Sequence, residues 1–136
     1  MGPELVTLPV LAGHIRADLR AGVPWQDTLR WIIIASDDFA SLRDDSARAA
    51  FVAEPPPTGD ARYDALLAGL AVQLCRTAGM ASSPAWTREP NRYLQSFWWY
   101  GSAGEVESLR AYAWQRTSSC FRARGVVFNV ENLNSA

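Results

Sequence analysis

Asp60-Ala-Arg-Tyr-Asp-Ala-Leu-Leu-Ala-Gly-Leu-Ala-Val-Gln-Leu-Cys-Arg-Thr-Ala-Gly79 repeats apolar residues at helical spacing, with Tyr63, Leu66, Leu67, Leu70, Ala71, Leu74 and Ala78 along one face. The spacing predicts one long helix, opened by Asp60 and closed by Gly79. Glu54-Pro-Pro-Pro-Thr-Gly-Asp60 precedes it, and three consecutive prolines cannot continue a helix. That segment reads as a stiff connector.

Upstream, Leu8, Leu11, Ala12, Ile15 and Leu19 recur at helical spacing behind Thr7, Pro9 suits a first turn, and Gly22 ends the pattern. From Trp25 to Leu42 the residues Leu29, Ile32, Ile33, Ser36, Phe39 and Ala40 share one side. Its length makes this a helix despite the β-branched Ile32-Ile33-Ile34. A shorter helix is expected from Asp45 to Ala53.

Downstream, the pattern dissolves between Met80 and Ala103, leaving room for helical turns at Pro84–Thr87 and Arg92–Phe97. Helical spacing resumes from Gly104 to Thr117 through Val106, Leu109, Tyr112, Ala113 and Arg116. Val126-Val-Phe128 is a β-type run, and Asn129 is placed to cap a last turn over Val130 to Leu133. The expected architecture is a mainly α, single compact helical domain over residues 1–136 with a short C-terminal β-type segment. No helix-turn-helix is recognisable in it.

Composition places this chain among ordinary globular proteins, with 136 residues, 49% hydrophobic and 20% charged. A formal net charge of −1 provides no global attraction to nucleic acid or anionic lipid, so direct DNA binding is not expected. All thirteen basic residues are arginine, the side chain suited to bidentate and stacked contacts. Cys75, Cys120 and the single His14 lack the spacing of a zinc site, and the two cysteines read as reduced, buried thiols. The longest apolar run, Trp31-Ile-Ile-Ile-Ala35, is too short to cross a bilayer, and no signal-peptide order is present. A cytoplasmic protein without cofactor or metal is expected.

Catalytic groupings are absent from the sequence. Asp37-Asp38 and Asp44-Asp45 lack a second ligand cluster and read as solvated charges or helix caps, and His14 reads as a polar-face residue. Ser82-Ser83 and Ser118-Ser119 lack a nucleophile elbow and a spare histidine, which points to a protein that is not an enzyme. Arg110, Arg116, Arg122 and Arg124 beside aromatics suggest a nucleic-acid surface, against which stand the near-neutral charge and the lack of a reader module. The densest aromatic block is Pro84-Ala-Trp-Thr-Arg-Glu-Pro90 with Phe97-Trp-Trp-Tyr100. Consecutive rings in a regular element diverge, so at least one of Trp98, Trp99 and Tyr100 is expected at the surface.

As a set, Glu54 to Ala71, Pro84-Ala-Trp-Thr-Arg-Glu-Pro90 and Phe121-Arg-Ala-Arg-Gly-Val-Val-Phe128 resemble the region that follows the DNA-binding domain in small actinobacterial helix-turn-helix regulators of the xenobiotic-response-element type. The resemblance spans about residues 25 to 136. It departs at Ser118-Ser119-Cys120, where a Ser-Pro turn is more usual, and in lacking the N-terminal helix-turn-helix. Those regulators are often encoded beside nucleotidyltransferase-like partners in what looks like a toxin–antitoxin pair. The resemblance implies an antitoxin-like protein that binds such an enzyme. Trp86, Trp98, Trp99 and Tyr100 would anchor the contact, and Arg88, Arg110, Arg122 and Arg124 would meet acidic groups. The alternatives are a regulator that binds a small molecule or nucleic acid through the same rings, and a homo-oligomeric structural protein.

Overall fold

In the computed structural model, which describes residues 4–133, the helices run as α1 (Leu8–Ala21), α2 (Trp25–Ala40), α3 (Asp45–Phe51), α4 (Ala61–Thr77), α5 (Glu107–Gln115) and α6 (Ser119–Arg122). Two short strands, β1 (Trp98–Trp99) and β2 (Val126–Val127), complete a mainly α fold. No helix among the described residues is long and apolar enough to cross a membrane.

The expected helix after the prolines is α4, but it is buried on every side and not along one stripe. Every residue from Ala65 to Val72 is inaccessible, as are Leu74 and Cys75. Small residues explain this, because Ala65, Ala68, Gly69 and Ala71 let neighbouring elements approach closely where the leucines do not point. A helix apolar around its circumference becomes the middle of a fold.

Its N-terminus is built as the sequence indicates. Asp60 accepts a hydrogen bond from the Arg62 backbone N–H at 2.9 Å, and the Arg62 guanidinium grips the same carboxylate. The side-chain bond from Arg62 holds the Asp60 carboxyl below its ordinary pKa against the opposing effect of burial. The proline connector is tied down by Thr58, whose N–H and hydroxyl both donate to Asp64 Oδ1 at 2.9 Å.

α1 lies on the same core through Leu8, Leu11, Ala12 and Ile15, with Thr7 accepting from the Val10 N–H and Gly22 ending it at φ 68°. Leu19, expected inside, is exposed on the last turn. α2 buries Thr28, Ile32, Ala35 and Phe39, so its inward face is turned from the expected one and Ala40 is outside. The carboxylates read as caps and solvated charges hold the helices in place. Asp38 accepts from the Val6 N–H at 2.8 Å, Asp44 caps α3 through the Ala47 N–H at 2.8 Å, and Asp45 pairs with Arg48.

Between Met80 and Phe97 the backbone has few partners of its own, and buried donors from side chains replace them. Trp86 Nε1–H donates to the Val52 carbonyl at the end of α3, 2.9 Å away. Arg92 reaches the Asp64 carbonyl at 3.1 Å, and Arg124 donates to the carbonyls of Thr87 and Cys120. These groups close an irregular segment that the core otherwise leaves unpaired.

A short 3-10 turn over Ala85–Arg88 meets the first expected turn of this region. The second expectation is corrected: the turn lies at Pro90–Arg92, and the chain is extended by Tyr93. The reason is a competing partner, since the Leu94 N–H donates to the Arg124 carbonyl at 3.0 Å. The strands then pair in parallel, Trp98 with Val126 and Trp99 with Val127. Gly125 must be glycine here, because it sits at φ 81° and a Cβ would lie 2.9 Å from Leu94 Cβ. The β-type run Val126-Val127 is thus a strand, whereas α6 and β1 carry no clear signal in the sequence. Val130–Leu133 forms the last turn, with Asn129 Oδ1 accepting from the Glu131 N–H.

Candidate functional site

β1 divides the aromatic block between two sides, as alternation along a strand requires. Trp98 and Tyr100 turn inward to Tyr63, with Trp98–Tyr63 centroids 5.1 Å apart and Trp98–Tyr100 centroids 5.4 Å apart. Trp99 turns the other way, towards Trp114 of α5. Tyr100 is buried and Trp98 and Trp99 are half-buried, so the three rings do part company at the strand.

Burial pushes the hydroxyls of both Tyr63 and Tyr100 to higher pKa; Tyr63 adds to the rise at Tyr100, whereas the hydrogen bond with Tyr100 partly offsets the rise at Tyr63. Both stay protonated in the folded chain at a pH where a free tyrosine ionises. Deprotonation then favours the unfolded state, so their contribution is intact below about pH 10 and is lost as pH rises above it. Denaturant titrations at rising alkaline pH are expected to show falling stability, and Tyr100→Phe should lessen the fall. An unchanged slope in that variant would contradict the assignment.

The outward side forms the candidate surface. Trp114 meets Phe97 edge-to-face at 5.3 Å and tilts against Trp99 at 6.3 Å. The Arg122 guanidinium lies 5.4 Å over Trp114, and the Arg110 guanidinium lies 5.9 Å from the Trp99 centroid while donating to the Gly104 carbonyl. Neither arginine reaches a carboxylate among the described residues. Two cations therefore flank an indole pair with their outer edges open to a partner.

α5 carries more apolar surface on its exposed sides. Phe97 is 53% exposed, Val106 50%, Leu109 44%, Tyr112 44% and Trp114 37%. Only Ala113 of α5 is buried. The helical spacing expected through Val106, Leu109, Tyr112, Ala113 and Arg116 is thus met by a helix whose large apolar residues face solvent.

The residues expected to bind a partner separate into two groups. Trp99, Arg110 and Arg122 come together at α5, and Trp98 stands half-buried on the inner side beneath the Arg62 guanidinium, 5.2 Å from its centroid. Arg88 is exposed but apart, donating to Ser83. Trp86, Tyr100 and Arg124 are corrected: they belong to the interior, at 7%, 3% and 5% exposure, and offer almost no contact area. Their polar atoms are also engaged, Trp86 and Arg124 by backbone carbonyls and Tyr100 with the Trp25 carbonyl.

No protein-family model, curated protein or solved structure matches this chain. Among the described residues no three His, Cys, Asp or Glu side chains gather as metal ligands. Cys75 and Cys120 are free and buried, and His14 stacks on Trp31 at 3.7 Å.

Leu109, Tyr112 and Trp114 of α5 were missed as surface residues. The available signal was their distribution, since a nine-residue helix with large apolar groups over most of its circumference cannot bury them all against one neighbour.

Proposed function

We propose that this chain is a non-enzymatic protein-binding domain that uses the α5 face to cover or regulate a partner, and that the partner is a nucleotidyltransferase-type enzyme in an antitoxin-like pairing. The observation that supports the binding role is the exposure of Phe97, Val106, Leu109, Tyr112 and Trp114 on one short helix and the strand end beside it. Exposed apolar side chains beside arginines are a common make-up of a contact surface. Arg110 and Arg122, without a carboxylate partner among the described residues, suit acidic groups on the other side. The identity of the partner rests on the sequence resemblance alone.

The test is co-purification of the tagged chain from its own host cells, with a Phe97→Ala, Trp114→Ala double variant alongside. One stoichiometric nucleotidyltransferase-like protein is expected with the unmodified chain, with affinity falling by at least about 2 kcal/mol in the variant. Neither ring belongs to the hydrophobic core, so the variant should keep its helical spectrum. Recovery of a homo-oligomer without partner would overturn the proposal.

A further inference from the structure

A concavity lies where α2, α3 and α4 meet the turn at Val130–Leu133. It encloses about 470 Å³, within the size range of sites for small organic ligands. Phe39 and Leu74 supply its apolar floor, and Val130 and Leu133 an apolar wall.

The charges on its lining are already committed elsewhere. Arg48 pairs with Asp45 and donates to the Leu42 carbonyl. Glu131 accepts from the Tyr112 hydroxyl and from Arg116. A charged ligand would find no free counter-charge, and would lose its hydration on entry.

Two neutral polar groups keep unused capacity. Gln73 Oε1 accepts only from the Cys120 thiol, while its amide N–H groups have no acceptor among the described residues. The Ser36 hydroxyl has no hydrogen bond among them either, and both residues line the cleft. An apolar floor with spare neutral donors selects for uncharged molecules that carry an acceptor.

We infer that this cleft is a binding site for a small, uncharged, mainly apolar molecule of one or two rings, or the equivalent aliphatic volume, held by an acceptor atom facing Gln73 and Ser36. Phe97, Trp99 and Trp114 do not line this site; its tie to α5 runs through Glu131, which accepts from the Tyr112 hydroxyl.

The experiment titrates the full chain with 6-propionyl-2-(dimethylamino)naphthalene, an uncharged dye that carries a ketone acceptor and brightens in apolar surroundings, and with a sulfonated naphthylamine dye. Saturable binding of one uncharged dye per chain is expected, with the anionic dye weaker. Ala40→Phe and Ala78→Phe each project a ring into the cleft and should weaken the dye about tenfold or more, a loss of about 1.4 kcal/mol. Ser36→Leu removes a polar group without filling the whole space and provides a third variant should either fail to fold. Phe97→Ala with Trp114→Ala should leave the affinity unchanged. Lack of saturation, or affinity that survives the cleft variants but falls with the α5 variant, would overturn the site. Tighter binding of the sulfonated dye would overturn the ligand class.

Discussion

Trp86→Ala is expected to lower stability by about 3–5 kcal/mol, the range for removing a large buried aromatic side chain. Three losses combine at this position. The ring, 7% exposed, leaves a void beneath the irregular segment, and the Val52 carbonyl loses its indole donor. The Arg92 guanidinium, 4.6 Å over the ring, loses its apolar platform while its Nε already lacks a partner. Trp86→Phe would keep most of the volume but forfeit the hydrogen bond, for an expected cost of about 1–3 kcal/mol. Chemical denaturation of both variants checks this order. A Trp86→Ala protein as stable as the parent would place the ring outside the core.

Phe121→Ala should cost a similar 3–5 kcal/mol or so, because Phe121 is fully buried between α4 and Phe128. Gly69 is the reason the ring fits. A Cβ on Gly69 would stand 2.6 Å from Phe121 Cδ1, so Gly69→Ala alone should cost about 1–3 kcal/mol through overpacking. Once the ring is gone, that extra methyl enters empty space. The double variant should therefore be no less stable than Phe121→Ala alone, and a double-mutant cycle that gives simple additivity would show that the two residues do not meet.

Helices with caps and a sustained period were legible: Thr7 and Asp60 each accept from the first turn of the helix they were read as opening, and Asp44, read as a solvated charge or cap, caps α3. Facing was less legible. Leu19 and α5 carry the helical period yet point outward, because periodicity reports an apolar side but not whether another element covers it. The aromatic block was half legible, since alternation could part Trp98 from Trp99 but could not reveal that a strand formed only by pairing with Val126 and Val127. Trp86 and Arg124 illustrate the remaining difficulty. Their residue types suit an interface, but the irregular backbone around them supplied carbonyls that demanded buried donors, and this need depends on distant chain segments.

The parallel pairing of β1 and β2 obliges the chain to leave the ladder at Trp99 and return at Val126, and α5 rides on that return path with both ends leashed. Since only Ala113 reaches the interior, lifting α5 uncovers little buried area and the core beneath can stay closed. A helix leashed in this way keeps a local concentration on the order of millimolar after leaving its seat. Among the described residues no α5 side chain belongs to the hydrophobic core cluster, so the body of the protein does not depend on α5 keeping its seat.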